Sequence, residues 1–94
     1  MAVSPDLQQA IGAIRGQQFD EAVALLSQVL AKQPGNLQAR WLLVQSLEGQ
    51  GKAEDAIEQL RIFLIHARKD LPAIDQVAGH MRQRRYPLDH VLRS

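Results

Sequence analysis

The chain has 94 residues, of which 46% are hydrophobic and 22% charged, the balance of one globular domain over residues 1–94 with a modest core and no room for a large catalytic cleft. It has no cysteine, which excludes a disulfide framework, a thiolate nucleophile and a cysteine-ligated zinc site. The net charge of +1 hides a basic C-terminal third, because residues 61–94 carry seven basic and three acidic side chains against four and seven in residues 1–60. The opening Met-Ala-Val-Ser-Pro-Asp has neither a basic nor an apolar stretch, and nothing approaches the ~18 apolar residues of a membrane span. A soluble, cytoplasmic protein is expected.

Breakers at Ser4-Pro5, Gly16-Gln17-Gln18, Pro34-Gly35-Asn36, Gly49-Gln50-Gly51-Lys52, Asp70-Leu71-Pro72 and Tyr86-Pro87 cut the chain into segments of helical length. Ser4 and Pro5 suit the N-cap and first position of a helix over 5–15, in which Leu7, Ile11 and Ile14 share a face. A second helix over 19–33 has Phe19, Ala22, Val23, Leu26, Val29 and Leu30 at the same period, with Asp20 and Glu21 in the first turn, where the helix dipole favours acids. Further helices are predicted over 37–48, 53–69 and 73–85, with Leu88, Val91 and Leu92 as a last turn. No segment alternates with period two, so the fold class is all-α.

A shift of 34 residues superposes Ala22 on Ala56, Leu26 on Leu60 and Leu30 on Leu64, and the acidic pair Asp20-Glu21 on Glu54-Asp55. One helix face is thus repeated. A helix-turn-helix unit of this length and pattern resembles the tetratricopeptide repeat, with copies at residues 3–36 and 37–70. The small residue of the family's second helix falls on Ala22 and Ala56, and its terminal proline on Pro34. Asp6 and Arg40 stand where the family has tryptophan, and Arg68 where the second proline belongs. Residues 71–86 look like the first helix of a third repeat serving as a cap, with a tail to residue 94. The resemblance implies about five helices packed as antiparallel pairs in a short right-handed superhelix.

It also implies a protein-binding groove lined by the first helix of each repeat. In the third helix Leu43, Val44 and Leu47 form the natural core face, and Trp41, Leu42 and Gln45 fall opposite. With Gln38, with Leu7, Ile11 and Ile14 of the first helix, and with Asp75, Gln76 and Arg82 of the fifth, they make a groove with an apolar floor and a basic edge. Trp41, the only tryptophan, is the leading functional pointer; the bland reading buries it internally. A slightly rotated first helix would instead place Leu7, Ile11 and Ile14 in the core. The family's basic clamp for a peptide's C-terminal carboxylate is not expected, since Leu7, Ile11, Gln38 and Leu42 occupy its positions.

On the fourth helix Leu60, Phe63, Leu64 and Ala67 form the core stripe, while Ile62 and Ile65 point away from it. They are covered either by Leu88, Val91 and Leu92 or by a second copy of the chain or another partner. Arg82, Arg84 and Arg85 suit an acidic partner or a helix C-terminus, and with Tyr86 as the interleaved aromatic they are a weak nucleic-acid signal. His66, His80 and His90 have neither metal-ligand spacing nor carboxylate company, and read as surface or capping residues. Gly49-Gln50-Gly51-Lys52 lacks the hydroxyl residue and preceding strand of a phosphate loop. No catalytic set, metal site or cofactor is expected. The reading is a non-enzymatic interaction module that binds a partner protein around Trp41, with self-assembly through Ile62 and Ile65 as the alternative.

Overall fold

The computed structural model describes residues 5–87. Five helices follow in order: α1 (Pro5–Arg15), α2 (Phe19–Lys32), α3 (Leu37–Gly49), α4 (Ala53–His66) and α5 (Leu71–Arg84). Each packs on the next in sequence, and α1 also packs on α3, the neighbour pattern of stacked helix pairs. No strand occurs among the described residues. Ser4, Leu88, Val91 and Leu92, for which cap and last-turn roles were expected, lie outside them.

Two boundaries differ from the sequence reading by more than one residue. The fourth helix stops at His66, because Ala67 leaves helical geometry and its carbonyl accepts the Asp70 N–H at 2.8 Å in a turn. The fifth begins at Leu71, ahead of the proline: Asp70 caps it by accepting the Ala73 N–H at 3.2 Å, and a proline in the first turn removes no helical hydrogen bond. Asn36, 34 residues earlier, caps α3 in the same way through the Ala39 N–H at 3.0 Å.

The first helix of each unit also ends in the same way. Gln17, Gly51 and Arg85, each 34 residues after the last, are the residues with left-handed backbone among those described. The following N–H reaches back five residues each time: Gln18 to Ala13 at 2.7 Å, Lys52 to Leu47 at 2.9 Å and Tyr86 to Met81 at 2.9 Å. This is the Schellman cap, which satisfies carbonyls that the helix end leaves free. Glycine takes the conformation without strain at 51; glutamine and arginine adopt it at a cost. Its recurrence at Arg85 gives α5 the same exit as α1 and α3.

The core runs through all five helices, with Leu26, Val44, Leu60, Val77 and Met81 fully buried. Ala10, Ala22, Ala39 and Ala56 have no exposed surface; small side chains there let helix axes approach. The alanine pair found by the 34-residue shift is therefore a pair of packing points. Leu64, expected in the core stripe, is half-buried against it.

Arg40 is the unexpected core residue. Its guanidinium donates to Gln59 Oε1 at 2.6 Å and to the Pro34 carbonyl at 3.0 Å, tying α3 to α4 and to the preceding loop. Burial holds its pKa below the usual arginine value. Ser46, also buried, donates to the Leu42 carbonyl one turn back at 2.9 Å.

Candidate functional site

No Cα of α5 comes within 8 Å of one in α3, so side chains alone bridge these two helices. Part of the space between them is a groove of about 390 Å³. Trp41, Leu42 and Phe63 supply its aromatic and aliphatic lining, with Gln38 and Gln76 as polar walls and Asp70 at one end. The caps at Asn36 and Asp70 set this geometry: one fixes the start of α3, so that Gln38 and Trp41 fall in its first two turns, and the other does the same for Gln76 on α5.

Trp41 is half-buried, as neither simple alternative required. Its ring lies 5.6 Å from that of Phe63 and 5.0 Å, edge-on, from that of His80, separations at which aromatic pairs attract. Four of the residues expected to line a groove (Gln38, Trp41, Leu42 and Gln76) line this one.

The others do not join them. Leu7 is 3% exposed and belongs to the core with Ala10 and Ala13, because two alanines give α1 too little apolar surface and the helix turns to bury its leucine. Ile14 is half-buried against the same core, and Ile11 is half-buried. Gln45, Asp75 and Arg82 are exposed but do not line the groove. The basic edge expected there is absent: the ionisable residue at the groove is Asp70, a carboxylate.

Below the groove lies a cluster that sequence reasoning missed. The Glu48 side chain, 3% exposed, stands at the end of α3; its Oε2 accepts from the Tyr86 hydroxyl at 2.8 Å and from His80 Nε2 at 2.8 Å, and forms an ion pair with Arg84, whose Nε lies 3.2 Å away. A carboxylate only accepts, so the bonded imidazole nitrogen carries the proton. Burial, reinforced by the Glu48 hydrogen bond and charge, pushes the Tyr86 hydroxyl up to about 12. His80, expected at the surface or a cap, is instead shared between Glu48 and Trp41. Arg84, expected with Arg82 and Arg85 at a helix C-terminus or on an acidic partner, pairs with Glu48 while half exposed. No local pattern announces the cluster, since its members lie 32 to 38 residues from Glu48 and meet only once α5 is stacked on α3.

Two larger concavities exist. One of about 640 Å³ lies at the turn between α1 and α2, beside Asp20, Gly49 and Gln50, where the Gln50 amide donates to the Asp20 carboxylate. The other, about 590 Å³, opens beside Glu48 and Tyr86. Each is lined by one aromatic side chain, Phe19 or Tyr86, among mostly polar residues, whereas the smaller groove sets Trp41 beside Phe63 and Leu42. Among the described residues no three histidine, aspartate or glutamate side chains gather as metal ligands, and no helix is long and apolar enough to cross a membrane.

The comparisons agree with this architecture. The sequence model of the family described as tetratricopeptide repeat matches residues 13–79, from the end of α1 to the middle of α5. No curated protein and no solved structure gives a significant match. Repeats of this kind are non-catalytic scaffolds that mediate protein–protein interaction, and with most of its length matched, this chain belongs to the tetratricopeptide repeat family.

Proposed function

We propose that the chain binds a helix or extended segment of a partner protein in the groove between α3 and α5, with Trp41 as the apolar anchor. The observation behind this reading is the half-buried single tryptophan on a concave surface, flanked by the exposed amides of Gln38 and Gln76. Aromatic anchors in such pockets dominate binding energies, while neighbouring polar groups fix orientation. An acidic partner steered by Arg82 is not part of this reading, because the arginine stands away from the groove.

Trp41 fluorescence reports the groove directly. A cognate segment should shift its emission, and Gln38→Arg with Gln76→Arg, both at exposed positions, should weaken binding at least ~tenfold while leaving the circular dichroism unchanged. Capture of a partner whose affinity is indifferent to both substitutions would refute the assignment.

Self-association through Ile62 and Ile65 is the second reading. Ile65 is 50% exposed while Ile62 is half-buried, so the patch rests on one open side chain, an ordinary feature of a monomer surface.

A further inference from the structure

The 34-residue register places Asp75, Gly79 and Arg82 of α5 on Trp41, Gln45 and Glu48 of α3. On α3 this is the face that grips the next helix, through Trp41 on His80 and Glu48 on His80, Tyr86 and Arg84. On α5 no helix among the described residues packs against it.

Three features of the open face point to one occupant. Its charges are segregated along the helix: Asp75 in the first half and Arg82 in the second, both exposed. Its middle is small, Ala78 and Gly79. A Cβ added at Gly79 would meet nothing within 4 Å, so the chain's own packing gives no reason for a residue that is, after proline, the poorest helix former. At its start Leu71 is 72% exposed, the more open of the two large apolar side chains exposed among the described residues.

We propose that this face is a homodimer interface, in which α5 lies antiparallel to the partner's α5 about a two-fold axis at Ala78 and Gly79. A two-fold contact must complement itself. Asp75 and Arg82 are equidistant from that centre, so Asp75 meets the partner's Arg82 and Arg82 meets the partner's Asp75. The antiparallel arrangement also opposes the two helix dipoles. A parallel pairing would set like charges together. The small residues let the axes approach closely at the centre, and Leu71 is covered at each end. One helix-on-helix contact is smaller than the ~1,200–2,000 Å² of a standard interface, so dissociation on the order of 10–100 µM is expected.

Sedimentation equilibrium of the whole chain from about 1 to 500 µM tests this. The mass should rise from the 10.5 kDa of one chain toward twice that, and the rise should weaken with salt. Asp75→Arg and Arg82→Asp should each weaken association at least ~tenfold, Gly79→Leu should do the same, and the Asp75→Arg/Arg82→Asp double variant should restore it to within about threefold. Ile65→Glu should change nothing. A monomer throughout the range, single reversals without effect, a double variant that fails to recover, or mass growing past the dimer in head-to-tail fashion would each overturn the proposal. Circular dichroism of every variant, all altered at exposed or open positions, guards against misfolding as the cause.

Discussion

Replacing Glu48 with alanine removes the acceptor that ties His80 of α5 and the following Tyr86 to α3, and the structure allows the cost to be worked. Hydrogen bonds to a charged group contribute ~1.5–3 kcal/mol each in general. Here two donors and the Arg84 ion pair converge on the same oxygen, so their contributions do not add. The Arg84 side chain is 50% exposed and regains water on release, which leaves its share near the ~0–1 kcal/mol of a surface pair. His80 and Tyr86 are partly covered and regain less. A net loss of about 2–4 kcal/mol follows, or on the order of 10–25 °C in melting temperature for a domain of this size. Because Ala73, Val77 and Met81 still bury one side of α5, the loss should be local: amides of α5 should exchange faster than those of α2 and α3. Glu48→Gln keeps the shape and one acceptor, and should fall between. Thermal melting by circular dichroism and hydrogen exchange read by mass spectrometry check both. A Glu48→Ala variant that melts within about 2 °C of the parent, with α5 protection unchanged, would refute the idea that this carboxylate holds α5 in place.

Two glycines give opposite predictions. Gly79→Ala meets open space and should stabilise the monomer by ~0.5–1 kcal/mol when melted at low micromolar concentration, whereas a Cβ at Gly49 would lie 2.5 Å from the Phe19 ring and should give a net loss of up to about 2 kcal/mol; equal melting temperatures would contradict the packing at the end of α3. At high pH, the Tyr86 hydroxyl titrates at about 12 in the folded chain against 10.0 ordinarily. Its contribution is whole below pH 10 and is lost as the pH rises toward 12. Tyr86→Phe should therefore abolish the part of the alkaline decline in stability that lies between those values, as measured by urea unfolding across the range.

How much of this was legible depended on the range of the interaction. The helices and their repeat were readable because Ala22, Ala56, Leu26 and Leu60 recur at the periods that local geometry imposes. Trp41, Leu42, Gln38 and Gln76 were placed at one groove because register alone decides which helix faces look at each other. Leu7 failed the same rule. It occupies the position of Trp41 one repeat earlier, but α1 has little besides alanine to bury, so packing area overrode register. Arg40 is hidden from composition because its burial rests on Gln59 and the Pro34 carbonyl, partners that only the fold supplies. The left-handed caps show the same limit: only Gly51 signals its backbone in sequence, while Gln17 and Arg85 take the conformation because the stacking requires the same exit from each first helix.

His80 joins the two halves of the functional reading. One edge of its ring meets Trp41 in the groove, and its Nε2 meets Glu48 in the cluster beneath. The α3 and α5 backbones stand apart, so the separation of the groove walls is set by the side chains that span the gap, Trp41, His80, Glu48 and Arg84 among them. A partner segment bound beside Trp41, as proposed above, would therefore press on a ring whose position is fixed by a buried carboxylate. Occupancy of the groove and the strength of the Glu48 cluster are then linked quantities: a ligand that fits the closed spacing strengthens the hold on α5, and one that needs a wider groove must weaken it. The outer face of α5 moves with the helix, which connects the groove to the surface where a second chain is proposed to dock.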